Sequence, residues 1–153
     1  MKFRHLIPVV IAMFIATPLL AEVSTEIELV RKLIHTEKKV AIAEAMELEE
    51  EMAQKFWPIY NDYQNELRKV KDRRVKLIRD LAENFETLDD AKAIELLDEA
   101  LKFETEQLKL KKTYVKKFRK ALPGKTVAKY FQAENKVETI INFGLSMEIP
   151  LID

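Results

Sequence analysis

Apolar residues recur at helical spacing through the middle of the chain. Phe56, Tyr60, Tyr63, Leu67, Val70, Arg74, Leu77 and Leu81 advance by alternating steps of four and three. That spacing keeps them on one helical face, close to the seam repeat of a coiled coil. A strand would need alternation at every second position, which Lys71-Asp72-Arg73-Arg74 does not supply. A second run carries two rows. Ile94, Leu97, Leu101, Glu104, Leu108, Lys111, Val115, Phe118 and Leu122 form one, and Leu96, Ala100, Phe103, Leu110 and Tyr114 form another beside it. So broad a stripe predicts a helix that touches more than one neighbour. Glu104 and Lys111 interrupt the first row and read as an interhelical pairing or register device.

Phe85-Glu86-Thr87-Leu88 lies between the two runs. So short a connection predicts an antiparallel helical hairpin. With the turn centred near Thr87, facing residue numbers add to about 174. Thr87 is the expected N-cap of the second arm, with Asp90 three residues on. In this register the basic Arg68, Lys69, Lys71, Arg73, Arg74, Lys76 and Arg79 face Glu95, Asp98, Glu99, Glu104 and Glu106. Each exposed pair contributes only ~0.2–1 kcal/mol, so the pattern specifies register more than stability.

Two further helices flank the hairpin. Thr25 with Glu28 suggests a capped start, Ser24 being the alternative cap. Ile27, Val30, Ile34 and Ala41, with Leu33 and Val40 beside them, give that helix an apolar face as far as about Met46. Leu122-Pro123-Gly124 stops the second arm. A last helix is expected from about Lys125 to Met147, with Val127, Tyr130, Phe131, Val137, Ile140, Ile141 and Leu145 on its face and the apolar tail Ile149–Ile152 docked. Pro58 falls inside the first arm, which is expected to continue through it with a kink. The expected fold is all-α: an elongated four-helix arrangement with a long central antiparallel helical hairpin.

The first residues form a different pattern. Lys2 and Arg4 precede an apolar stretch from Leu6 to Ala16, followed by Thr17-Pro18-Leu19-Leu20-Ala21. This is the layout of a secretory signal peptide cleaved near Ala21, and the apolar stretch is short for a membrane-spanning helix. The expected organisation is a signal peptide over 1–21 and one all-helical domain over 22–153, with a periplasmic location.

Composition narrows the chemistry. The 153 residues include 26 basic and 26 acidic side chains, two glycines and no cysteine. Loss of Lys2 and Arg4 leaves the mature chain acidic by about two charges. No basic excess marks a general nucleic-acid binder. Without cysteine there is no disulfide or thiolate chemistry. His35 alone lies outside the leader, so no His-based triad or usual zinc site can be assembled. Gly124 and Gly144 stand apart, with no phosphate-cradling loop. A non-enzymatic protein without a cofactor is expected.

Three clusters remain as candidates. Glu44, Glu47, Glu49, Glu50 and Glu51 read as a solvated face with helix-start acids in preference to a weak calcium site, because no calcium-loop glycine is present. Phe56, Trp57, Tyr60 and Tyr63 form either one end of the core or an exposed patch for a client or partner. Lys109, Lys111, Lys112, Lys116, Lys117, Arg119 and Lys120 form a basic run without an acid. The run suits an anionic partner, lipid headgroups included, although the hairpin register sets it opposite Asp62 and within reach of the Glu44–Glu51 cluster. The named candidate surface is Phe56, Trp57, Tyr60, Tyr63, Lys112, Lys116 and Arg119.

Phe56-Trp57-Pro58-Ile59-Tyr60 with Tyr63, and Leu122-Pro123-Gly124-Lys125, Tyr130-Phe131-Gln132 and Glu134-Asn135-Lys136, resemble a group of small exported bacterial proteins. More distantly the chain resembles the Spy/CpxP-type envelope-stress proteins. That resemblance implies a helical periplasmic homodimer acting as an ATP-independent chaperone for unfolded or stressed clients. The alternative it implies is a regulatory adaptor docking on an envelope or sensor protein. The repeated Leu-Thr-x-x-Gln motif of those proteins is reduced here to Leu48 and Leu88, without the Thr and Gln, so no binding residue transfers by motif.

Overall fold

A computed structural model describes residues 34–152. The expected signal peptide over 1–21 and the expected capped start near Thr25 lie outside the described residues. Four helices are present among them, so the fold is all-α: α1 over 34–46, α2 Glu50–Asn84, α3 Asp90–Ala121 and α4 Gly124–Glu148, with a 3-10 turn at Phe85–Thr87 joining α2 to α3. The described residues pack as two compact units. One is the α2–α3 hairpin, residues 48–127 with 151–152. The other joins α1 to the part of α4 from Ala128 onward.

In the hairpin, α2 is 35 residues long, about 50 Å at the usual helical rise. It runs unbroken through Pro58, which is exposed, so the carbonyl that loses its amide partner there can be hydrated. Phe56, Tyr60, Tyr63 and Leu67 are buried, and Val70, Arg74, Leu77 and Leu81 are half-buried, as the spacing predicted. Gln64 is buried as well. Phe56 packs on Phe118 with ring centroids 5.4 Å apart, the pairing expected from the turn. Farther along, the partners slip from the simple count. Tyr63 meets Tyr114 rather than Lys111, at 5.0 Å between rings, and Arg73 pairs with Glu106 rather than Leu101. Near the turn Asp80 holds Lys92 at 3.0 Å. Other charges pair along their own helix, including Lys69 with Glu66 and Lys102 with Glu99.

The cap of α3 is two residues later than the sequence suggested. Asp89 accepts the Lys92 backbone N–H at 2.8 Å, while the Thr87 hydroxyl donates to the Asn84 carbonyl at 3.4 Å. The 3-10 turn takes up Thr87, and of the two extended residues that follow, Leu88 and Asp89, only Asp89 has a side chain that can cap.

In the other unit, α1 ends at Met46 as expected. Glu47 follows with φ +47°, the left-handed conformation that closes many helices, and its N–H returns to the Ala43 carbonyl at 3.1 Å. Lys129 of α4 donates to the Met46 carbonyl at 3.1 Å, placing a cation at the negative end of the helix dipole. The α1 face differs from the expected one. Lys38, Ala41, Ile42 and Met46 are buried, whereas Val40 is about half exposed. On the part of α4 from Ala128 onward, Tyr130, Glu134 and Val137 are buried. The tail was expected to dock, but Leu151 and Ile152 are exposed.

Candidate functional site: the outer face of α3

The two apolar rows of α3 have different fates. Leu96, Phe103, Tyr114 and Phe118 are buried, with Tyr114 and Phe118 against Tyr63 and Phe56 of α2. The row drawn first from the sequence points elsewhere over most of its length. Ile94, Leu97, Leu101 and Leu108 are 58%, 53%, 52% and 52% exposed. Glu104 is exposed beside them, so it is no buried register device, and Lys111 is half-buried. The physical reason is the geometry of a two-helix hairpin. One partner helix fills one stripe about 100° wide, and α3 carries more apolar surface than that.

The outer row changes character along the helix. From Leu108 the same face continues through Lys112 to Arg119, with Lys116 at its edge, because steps of four and seven stay on one face. Lys112, Lys116 and Arg119, named from the sequence, are all exposed. Within the hairpin none of Lys109, Lys112, Lys116, Lys117, Arg119 and Lys120 forms an ion pair among the described residues. Lys117 lies over the Tyr114 ring at 4.2 Å, a cation–π contact. For these six cations the internal neutralisation weighed from the sequence is not found within the hairpin. Arg73–Glu106 and Asp80–Lys92, which join the two helices, lie in its turn-side half.

The aromatic candidates are core residues. Phe56 and Tyr60 are fully buried, Tyr63 nearly so, and Trp57 is half-buried. Trp57 stands edge-on to Phe56 and Tyr60 at 5.0 and 5.2 Å between centroids. These rings fill the open end of the hairpin, so the proposed aromatic surface reduces to the edge of Trp57. The structure thus leaves three of the seven named surface residues exposed and takes three into the core. The exposed aliphatic row is the feature sequence reasoning did not locate. Its signal was present in the doubled stripe, but choosing which row faced α2 required the hairpin rotation.

A second polar cluster lies in the other unit. Lys38 donates to Glu134 at 2.7 Å and to Glu138 at 2.6 Å, and the three side chains are only 5%, 3% and 12% exposed. Tyr130 Oη lies 3.5 Å from Glu134. Burial alone would push the Lys38 ammonium down. The charges and hydrogen bonds of Glu134 and Glu138 outweigh it and hold its pKa above the ordinary 10.5. Sequence gave one hint: Lys38 and Glu134 each sit within the apolar face of their own helix, Lys38 between Ile34 and Ile42, Glu134 between Tyr130 and Val137. The cluster ties α1 to α4 and offers no open carboxylate or free amine. The acidic residues Glu44, Glu47, Glu49, Glu50 and Glu51 are all exposed, and no group of three or more acids or histidines among the described residues is arranged to hold a metal ion. No described helix is long and apolar enough to cross a membrane.

No protein-family model, no curated protein and no solved structure matches this chain.

Proposed function

We propose that this chain is an exported, non-enzymatic protein that holds unfolded or stressed envelope proteins weakly and without ATP, using the cationic end of α3. The observation that carries this reading is the exposure of Lys109, Lys112, Lys116, Lys117, Arg119 and Lys120, six cations of α3 that form no ion pair within the hairpin among the described residues. Such a run attracts acidic segments of a non-native chain over distances of about 10 Å at moderate salt. Rotatable lysine ammoniums suit many client geometries better than one fixed fork would. The resemblance to Spy/CpxP-type proteins supports the same reading.

Light scattering of an aggregating client tests it. Protein purified after export should slow aggregation at low salt and do so less at moderate salt. The triple variant Lys112→Glu, Lys116→Glu, Arg119→Glu should lose the effect while keeping its helical circular dichroism. No suppression at either salt would remove the chaperone reading. Crosslinking that then captures one stoichiometric partner would point to an adaptor instead.

A further inference from the structure

We propose that the second half of α3 docks on an anionic phospholipid surface through Lys109, Lys112, Lys116, Arg119 and Lys120. Tyr114 and Phe118 turn inward to rings of α2. Lys109, Lys112, Lys116 and Arg119 stand five and two residues to either side of Tyr114. At about 100° per residue, those offsets gather all four within an arc of about 80° on the side away from α2. Lys120 adjoins the arc, and all five side chains are exposed. No acid lies between Glu106 and Glu134 in the sequence. The acids at this end of the hairpin, Glu50, Glu51 and Asp62, belong to α2, and Glu51 is paired with Lys55 at 2.7 Å.

Shape and composition select lipid among anionic partners. The cations form a stripe about 16 Å long on the outer side of one continuous helix, a ridge and not a groove. A ridge of separate charges suits a plane of phosphates whose headgroups move to meet each cation. Four of the five cations are lysines, whose rotatable point charges need no fixed partner geometry. The two aromatics of the stretch, Tyr114 and Phe118, are buried, so it offers no platform for stacking bases. Leu108, 52% exposed, continues the same face and can enter the apolar layer beneath the phosphates. Charge also sets an orientation. Glu95, Asp98, Glu99 and Glu104 precede the stripe and are exposed, so an anionic plane attracts the second half of α3 and repels the first. The hairpin therefore docks by its open end and holds its 3-10 turn away from the surface. Docking needs no client, although it uses cations that the client-binding reading also uses, so a membrane-bound chain is not free to hold clients there.

Flotation of the full chain with vesicles tests this. Binding to phosphatidylcholine vesicles containing roughly one-third phosphatidylglycerol should exceed binding to phosphatidylcholine alone at least about tenfold, and should fall as salt rises. The variant Lys112→Gln, Lys116→Gln, Arg119→Gln should lose that preference with unchanged helical circular dichroism. The variant Lys69→Gln, Lys76→Gln, Arg79→Gln removes as much charge from exposed positions of α2 and should keep it. The chain has no cysteine, so single dyes can be placed. A polarity-sensitive dye on Leu108→Cys should report a less polar setting on anionic vesicles, and one on Glu86→Cys should not. The proposal is overturned by equal binding to both vesicle types, by no binding to either, or by equal losses in the two triple variants. A polyglutamate peptide that binds the stripe where vesicles do not would also overturn it and give the surface to acidic protein segments. The vesicle assay contains no client and the aggregation assay no lipid, so each reading fails separately.

Discussion

The inner and outer faces of α3 differ in what covers them more than in what they are made of. Inside, Leu96, Phe103, Tyr114 and Phe118 are buried, Tyr114 and Phe118 against rings of α2. Outside, four aliphatic residues at the same kind of spacing keep more than half of their surface in water. Burying a large apolar side chain is worth about 1.5–3 kcal/mol, so the inner face holds the hairpin together and the outer face contributes little to it. Apolar periodicity therefore marks surfaces that could be buried. It does not say by what.

The sharpest way to break this comparison is to truncate one residue on each face. Phe118→Ala removes a fully buried ring from the contact with Phe56 and should cost about 3–5 kcal/mol. Leu101→Ala, measured by urea unfolding at concentrations that keep the chain monomeric, should cost less than about 0.5 kcal/mol. Equal losses would mean that the outer row is covered within the single chain.

The same contrast holds for charge. Lys38 is enclosed with two glutamates, whereas Lys112, Lys116 and Arg119 of α3 are exposed. Lys38→Met leaves two buried carboxylates without their cation and should cost about 3–5 kcal/mol. The pH dependence follows from the direction of its shift. The folded pKa lies above 10.5, so its stabilisation is fully present below 10.5 and is lost as pH rises through the folded value. Denaturant midpoints of the wild type should therefore fall at strongly alkaline pH, and Lys38→Met should remove that part of the fall. A variant as stable as the wild type at neutral pH would show that the ions are solvated after all.

Capping of the second arm gives a smaller effect and shows how far local sequence could be read. Asp89→Ala removes the acceptor for the Lys92 amide and should cost about 1 kcal/mol, while Thr87→Ala should change little. The four helices, the hairpin turn and the buried face of α2 were legible because each rests on repeated apolar spacing or on a breaker such as Pro123-Gly124. The capping residue was not, because Thr87 and Asp89 both suit the role and only the 3-10 turn decides between them. The choice between rows on α3 failed for a related reason. A helix with two apolar rows has no local term that fixes its rotation, and contact with α2 through Tyr114 and Phe118 settled it. The fate of the aromatics near Trp57 was likewise a tertiary outcome, fixed by Phe118 from across the hairpin.

The smallest expected effect concerns the cationic end of α3. Lys112, Lys116 and Lys120 are spaced four apart, so each repels the next along the helix. Lys116 also lies outside the last turn, where the helix dipole would favour a cation. Lys116→Gln should therefore leave stability unchanged or raise it by about 0.2–0.5 kcal/mol, more at low salt than at moderate salt. Thermal unfolding at two ionic strengths measures this. A loss of 1 kcal/mol or more would mean that an acid of the same chain neutralises the run, and the cationic surface would no longer be free for a client. A gain would mean that the hairpin carries a repulsive run its own fold does not need, which is the state expected of a surface kept for something outside the chain.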